Sequence, residues 1–448
     1  PAVLGQTLMA RTLSPLVFFG QFVDYGNFDS VKHKSIEKDN HDVTFEVSYS
    51  LKTETLVEEY LENMLEEEEI SFVKKFFPDV FVGKLEVVID KPETQIQVKR
   101  MRAFVDEEEI VSFTREKDEN QYLYELKQNV TADGLVESYV GLMIEAIDYE
   151  YFIPYFNQNV AKDIYRSICK IENPEHEEYQ IDSMVKSFCL QSNIASEIVR
   201  MIYDSMYSDA LCMSYIGPFR EEPRRIYRDT ETDVRDVGAK GENLSTILLR
   251  ESEKNIGIHE EISDWLKKNY GYSLEIQRSD GGYFNLVVVD EKNVKSNIID
   301  VGYGISQVLP IVTQIIRSAY IETRRYMMDS DEMIMIEQPE LHLHPAAQAD
   351  LAELMELSVN KKSTQRIIIE THSEHLIRKL QVLVAREDHF LTADMIAVYS
   401  VEKSENGETI VRKMDLNENG RFKNKWPSGF FDKSHELASE LRNAVSEE

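Results

Sequence analysis

The 448 residues carry 81 acidic and 50 basic side chains, a formal charge of −31 at pH 7, with 42% hydrophobic residues, 18 glycines and 12 prolines. Such a length predicts two or three domains with real cores, and such a charge argues against a surface that binds nucleic acid broadly, so any DNA contact must be local or made by a partner. Cys169, Cys189 and Cys212 are odd in number and lack metal-type spacing, which argues against a disulfide framework; with no leader pattern and no apolar run near the roughly 20 residues of a membrane helix, the expectation is a cytoplasmic chain without a membrane partner.

Residues Pro1 to Leu13 read as the tail of a helix, and a turn-rich passage, LVFFGQFVDYGNFDSV, follows. From His41 to about Val130, the segments DVTFEVSYSL, KLEVVID, QIQVKRMRAFV, EIVSFTR and YLYELKQ show partial period-two alternation and predict antiparallel strands. One acidic helix, VEEYLENMLEEEEISFVKKFF, interrupts them, and its run Glu66 to Glu69 reads as a solvated surface before it reads as an interaction face. From Asp133 to about Tyr207 apolar residues recur three and four apart in VESYVGLMIEAIDYEYF and MVKSFCLQSNIASEIVRMIYDSMYSDAL, which predicts helices. The expected divisions are a largely antiparallel β lobe over 1–132, a helical insertion over 133–210 and a C-terminal lobe over 211–448.

At Leu211 the register changes, and LCMSYIGPF reads as a strand entering a Gly-Pro turn. In the following REEPRRIYR, Arg220, Arg224, Arg225 and Arg228 are the candidates to meet DNA backbone or a partner, with pairing to nearby acids as the equal alternative. Gly238 and Gly241 of GAKGENL lack the G-x-x-x-x-G-K-[ST] spacing of a phosphate loop. Helix to about Tyr270, a hairpin to Asp290 and a mixed α/β block follow.

In that block DVGYGISQVLP places Gly302, Gly304 and Ser306 at the start of a long amphipathic helix. Free N–H groups and the helix dipole make such an N-terminus an anion site, to which Ser306 and Gln307 would add side-chain hydrogen bonds. Met333 to Ile336 then form a short strand buried on both faces, ending in Glu337, Gln338, Pro339, Glu340, His342 and His344 before Pro345 opens a helix. A second buried strand, Ile367 to Ile369, ends in Glu370, Thr371, His372 and Ser373, beside the first if both are parallel. In open α/β sheets ligands sit at the carboxyl ends of strands, so both polar clusters would share the working edge. The histidines 342, 344, 372 and 375 with Glu337 and Glu340 invite a zinc reading, but no His-Glu-x-x-His or Cys-x-x-Cys spacing supports it.

These blocks, in this order, resemble the second half of an ABC-type ATPase head of the SMC, RecF and overcoming-lysogenization-defect superfamily. The glycine block looks like the signature motif, IMIEQ like Walker B with its following position, ELHLHP like the D-loop region and ETHSE like the switch-histidine motif. YIGPFREEPRRIYR, VGAKGENL and RFKNKWPSGFFD look like a bacterial subgroup with a WPxGFF tail, in a superfamily some of whose members serve antiphage systems such as Septu, Gabija and PARIS. The resemblance covers roughly Leu16 to Phe28 and, more densely, Leu211 to Asp432.

The resemblance implies an α/β ABC-type ATPase head with an antiparallel β subdomain, a helical insertion and a mostly parallel α/β core lobe, using ATP and Mg²⁺. Glu337 would coordinate Mg²⁺, usually through water, and His372 would sense the γ-phosphate. Gly304 and Ser306 would reach ATP held by a second subunit, and Gly302, Gln307, His344 and Thr371 would line the same shared site. It further implies a homodimer or higher oligomer through the heads, regulating an effector, a nuclease supplied in trans, in antiphage defence. The alternatives are a RecF-like repair or recombination ATPase that binds DNA, and a non-hydrolysing scaffold.

Two departures qualify this. The usual catalytic glutamate after Walker B is Gln338, which cannot accept a proton, so hydrolysis should be slow unless Glu340 substitutes as base. No Walker A spacing occurs, and because the chain opens Pro1-Ala2-Val3 without Met, the expectation is that a P-loop segment precedes this sequence.

Overall fold

Period-two alternation in the first third of the chain is realised as a six-stranded antiparallel meander. In the computed structural model, which describes residues 2–9, 16–18, 22–31, 42–92, 95–115, 121–128, 138–145, 148–150, 153–155, 158–172, 174–254, 257–320, 332–362, 364–405, 407–427 and 430–446, the chain divides into two units, Val3–Leu211 and Cys212–Glu448.

The first unit opens with helix α1 (Ala2–Met9) and the turn α2 (Phe28–Val31), then builds β1 (Val43–Lys52), β2 (Val80–Asp90), β3 (Gln97–Val105), β4 (Glu108–Arg115), β5 (Gln121–Gln128) and β6 (Ser138–Glu145) into one sheet in that order. The register Val47↔Leu85, Val87↔Met101 and Ala103↔Val111 keeps one face apolar. A small hairpin, β7 (Asp148–Glu150) and β8 (Ile153–Tyr155), leads to helices α5 (Gln158–Glu172) and α6 (Glu178–Leu211). Ile198, Ile202 and Met206 of α6 join Leu85, Val87, Met101 and Phe113 in a single core. Three tyrosine hydroxyls fix α6: Tyr49 and Tyr60 donate to Asp209 and Asp204, and Tyr124 pairs with Ser192.

Two expectations for this unit are corrected. The segment SYVGLMIE, read as helical, is strand β6 paired with β5. Leu142 is buried while Gly141 and Met143 are exposed, so the apolar spacing served a pleat, and pairing with a neighbouring strand outweighed the helical pattern; residues 133–137 lie outside the described residues. The acidic helix is broken: α3 (Thr53–Thr55) runs into a π-helical turn at Leu56–Leu61, and α4 (Glu67–Phe76) begins afresh. Glu66 N–H donates to Glu69 Oε2 at that start, where four acids favourably meet the positive end of the helix dipole, and Lys186 of α6 lies 3.6 Å from Glu66 and 3.4 Å from Glu69.

The second unit contains a parallel sheet, β15-β14-β9, formed by β9 (Met213–Ile216), β14 (Met333–Glu337) and β15 (Arg366–Glu370). An antiparallel sheet, order β10-β12-β11 with β13 on β12, comes from β10 (Tyr227–Arg228), β11 (Tyr272–Ser279), β12 (Tyr283–Asp290) and β13 (Lys295–Asn297). Helices α7 (Leu244–Glu253), α8 (Ile258–Tyr270), α9 (Tyr303–Tyr320), α10 (Pro345–Lys361) and α11 (Glu374–Ala385) supply Leu248, Leu266, Val312, Leu351 and Leu376 to one core with Ile334 and Ile336. Strand β15 is not the doubly buried strand expected. It lies at the end of the parallel order, and Ile368 is 41% exposed while Ile367 and Ile369 face the core. Among the described residues no helix is long and apolar enough to cross a membrane.

The expected closing hairpin is β16 (Val398–Lys403) with β17 (Thr409–Met414), followed by α12 (Lys433–Ser446). Between them Phe422, Trp426, Phe430 and Phe431 stack into an aromatic knot. The knot grips α11: the Arg378 guanidinium sits 4.6 Å from the Phe431 ring centre, and Gln381 Nε2 donates to Gly420 O at 2.8 Å.

Glu353 of α10 is bound by Lys379 of α11 at 2.6 Å and Lys268 of α8 at 2.9 Å. These lysines, Lys379 foremost, hold its carboxyl down to about 2. A depressed carboxyl contributes stability that is present above its unfolded value of 4.5 and is lost as pH falls through about 2. Glu353→Gln should therefore lower the melting temperature by about 2–4 °C at pH 7, a loss of ~1 kcal/mol after solvent screening. The gap should close between pH 4.5 and 2 when melting is followed by circular dichroism across that window; a gap independent of pH would remove the ion pairs as its cause.

Candidate functional site

Parallel pairing of β14 with β9 and β15 sets three strand ends level. Ile336 lies opposite Ile216, and Glu337 opposite Glu370. The ladder continues one residue further, since Gln338 N–H donates to Glu370 O at 2.8 Å. The chain then turns sharply, with Gln338 at φ 43° and His342 at φ 64°, left-handed values costly for residues with a Cβ. His344 caps α10 by accepting Ala346 N–H on Nδ1, and Pro345 takes the first helical position as expected.

Glu337 is half-buried and its Oε1 accepts the Tyr215 hydroxyl at 2.8 Å. Sequence reasoning missed Tyr215, the third residue of β9, whose only advance signal is a hydroxyl, shared with Ser214, in a short strand that is buried throughout. The carboxylate's other oxygen has no protein donor among the described residues, and a hard oxygen with one face open suits a hydrated Mg²⁺.

Glu340 takes a different place from the one expected of a spare base. Its Oε2 accepts the Thr371 hydroxyl at 2.8 Å and its Oε1 accepts His372 N–H at 2.6 Å. Both oxygens are thus engaged in tying the turn after β14 to the end of β15. Ser373 caps α11 by accepting Leu376 N–H and donates to Gln348 Oε1 at 2.6 Å, linking the same segment to α10. The His372 side chain is left exposed at this edge.

The glycine block meets the same edge. A side chain at Gly304 would put its Cβ 3.0 Å from His342 O, so any larger residue would have to push the turn back by a few tenths of an ångström. The Tyr303 ring meets the His342 ring edge-on at 5.0 Å. Exposed Gly302 and half-buried Gly304 thus lie at a helix start whose first N–H groups lack intrahelical partners. Ser306 and Gln307 do not join them: they are 6% and 2% exposed, and Ser306 Oγ donates to Tyr303 O at 2.7 Å. Facing inward in this conformation, they cannot supply the surface hydrogen bonds expected of them. Nor do the histidines converge, and among the described residues no group of three or more His, Cys, Asp and Glu is placed to hold a metal ion.

The four arginines separate. Arg220, expected to reach DNA or a partner, is only 5% exposed and its Nη2 donates to Glu337 O at 2.9 Å and Gln338 O at 3.2 Å. Its segment is drawn inward because Gly217 and Glu221 N–H groups bond to the carbonyls of Ala239 and Lys240. Arg225 donates two hydrogen bonds to the Asp300 carboxylate, at 2.6 and 2.9 Å, and Arg224 lies 3.7 Å from Glu221; these two follow the acid-pairing alternative. Arg228 is exposed on β10. Gly238 and Gly241, at φ 82° and 76°, serve a turn against α9, where Gly241 packs on Pro310.

If Glu340 ties the two strand ends together, Glu340→Ala should leave Thr371 and His372 without their acceptor. Amide exchange at residues 371–373 should rise about tenfold, with a stability loss of ~1–2 kcal/mol because water can reach the exposed side of the site. Hydrogen exchange read by mass spectrometry checks this, and unchanged protection would show the bonds to be dispensable.

The sequence profile of the AAA ATPase domain family matches residues 27–377, and that of a protein family of unknown function, DUF3696, matches residues 391–441. No curated protein matches the chain. Among similar solved structures, an SMC ATPase described for ATP-driven dimerisation and DNA-stimulated activation is 14% identical, with a TM-score of 0.28 over 44% of this chain and 96% of that one. The SMC head domain from Thermotoga maritima is 6% identical, with a TM-score of 0.27 over 75% of each chain. An Smc head bound to the C-winged helix domain of ScpA is 10% identical, with a TM-score of 0.32 over 84% of this chain and 75% of that one. Through the profile that spans most of its length, the chain belongs to the AAA ATPase domain family.

Proposed function

We propose that this chain is a cytoplasmic ABC-type ATPase head that binds ATP with Mg²⁺, pairs with a second copy of itself across the nucleotide, and controls an effector nuclease supplied by another polypeptide in antiphage defence. The observation that carries the nucleotide part is the convergence on one sheet edge of Glu337, Gln338, the Glu340–Thr371–His372 link and the start of α9 at Gly304. An acid, an exposed histidine and a helix N-terminus at the carboxyl ends of parallel strands are the parts that hold and read a phosphate chain.

In this reading Glu337, oriented by Tyr215, holds hydrated Mg²⁺, and the metal supplies the charge that offsets the phosphates. His372, exposed on a backbone held by Glu340, donates to the terminal phosphate. Gln338 positions the attacking water by hydrogen bonding but takes no proton from it, so bound ATP persists. A head of this kind acts as a timer, whose paired state lasts as long as its nucleotide. The defence role and the nuclease rest on the motif resemblance, including the WPSGFF tail.

A DNA-repair ATPase of RecF character would use the same edge, and the arginine pairings with Asp300 and Glu221 leave less basic surface for it. Turnover of the natural full-length protein, measured with and without DNA, separates the readings. The expected result is tight Mg·ATP binding, slow turnover indifferent to DNA, and a dimer that forms with ATP but not ADP by light scattering. Strong DNA stimulation would replace the switch by the repair ATPase, and absence of nucleotide binding would leave a scaffold. Gln338→Glu should raise turnover by on the order of 100-fold by supplying a general base, whereas Glu337→Gln should abolish Mg²⁺-dependent ATP binding.

A further inference from the structure

Arg220 is the most costly side chain at this edge. It is 5% exposed, its Nη2 alone is hydrogen-bonded, and its Nε and Nη1 have no partner. Burial pushes its guanidinium down to about 10, countered by the Glu340 carboxylate. A buried charge with two idle donors lowers stability, and replacing such a group by an apolar one of similar size is often neutral or stabilising. A fold that keeps it for packing alone would gain from losing it.

Its two bonds fall at a residue in the left-handed region. The acceptors are the carbonyls of Glu337 and Gln338, which flank the Cα of Gln338 at φ 43°. From the other side the Gln338 N–H is held by Glu370 O. Gln338 is therefore gripped from both sides: β15 takes its N–H, and the turn leaving β9 takes the carbonyls before and after its Cα. Tyr215 of the same β9 holds the Glu337 carboxylate at 2.8 Å.

We propose that Tyr215 and Arg220 are positioning residues for the ATP site, the hydroxyl orienting the Glu337 carboxylate and the guanidinium holding the Glu337–Gln338 turn in its left-handed form. The inference rests on the nucleotide reading above. It assigns β9 and the turn after it a role that neither side chain could have by touching nucleotide, since both act through their neighbours. Both bonds come from the one Nη2, so what arginine adds is the length and reach that bring that nitrogen between two successive carbonyls, whereas a lysine ammonium on a shorter, flexible stem reaches them less well.

The test compares Arg220→Met, Arg220→Lys and Tyr215→Phe with the natural full-length protein. Three readouts are taken: thermal unfolding, amide exchange at Gln338 without nucleotide, and the separate KM and kcat for ATP. Arg220→Met should melt at or above the parent temperature, yet exchange the Gln338 amide at least tenfold faster and lose at least tenfold in kcat with KM within threefold. Arg220→Lys should restore only part of that kcat. Tyr215→Phe, which removes one oxygen and endangers folding least, should raise the Mg²⁺ concentration needed for half-maximal ATP binding by at least threefold, with Gln338 exchange unchanged. A loss of kcat in step with a fall in melting temperature would reduce Arg220 to a packing residue, and unchanged Gln338 exchange would overturn the grip itself. Should the natural protein fail to bind ATP, the nucleotide reading falls; the exchange measurement, made without ATP, still decides whether Arg220 holds the turn.

Discussion

Everything at the candidate site depends on the parallel register of β14 between β9 and β15. Because Glu337 and Glu370 stand level, the next residue can add one more bond to Glu370 O before the chain must leave the sheet. It leaves by a left-handed turn, which brings Glu340 back over β15 so that both of its oxygens meet Thr371 and His372. A one-residue slip in either pairing would swap the faces of the strand and take Glu337 away from Tyr215. The register is secured by apolar contacts on both faces of β14, where Ile334 and Ile336 enter the core and Met335 is nearly as buried.

The same edge is tied mechanically to the rest of its unit. Helix α11 is capped by Ser373, the residue after His372, and carries Arg378 and Gln381 to the aromatic knot of Phe422, Trp426, Phe430 and Phe431. The knot and the His372 segment are thus joined through a single helix. Lys379 on the same helix fastens it to Glu353 of α10, whose own start is capped by His344 of the turn after β14. Two helices therefore leave the site in company, joined at both their first and their middle turns.

Much of the layout was legible in the sequence because it is local. Alternation located β1 to β5, Pro345 located the start of α10, and Gly302 with Gly304 located the start of α9. What failed was whatever a distant partner decides. SYVGLMIE has apolar residues that suit a helix or a pleat, and only pairing with β5 selects the pleat. Ile367 to Ile369 look buried on both faces, yet the strand's position at the end of the sheet order leaves Ile368 half outside. The site divides in the same way. Motif spacing put Glu337, Gln338 and His372 at or just beyond the ends of buried strands, and the structure has them at the ends of β14 and β15. It misplaced Arg220, because a basic cluster reads as surface until the turn at Gly217 folds its first arginine inward against carbonyls 117 and 118 positions away. Glu340 was misread for a related reason: its nearness to Gln338 in sequence suggested a base, while its acceptors' partners lie on another strand.

The chemistry of position 338 follows from its neighbours. Glu337, Glu340 and Glu370 already bring three carboxylates to one edge, with a single buried guanidinium beside them, that of Arg220. A fourth carboxylate at 338 would add like-charge repulsion that only a bound cation could offset. An amide keeps the hydrogen-bonding shape of glutamate without that charge, so the left-handed turn can be held before any metal or nucleotide arrives. The cost is proton-accepting power, since an amide orients water but cannot deprotonate it. A site arranged in this way favours being formed over being fast, as the proposed timer would require.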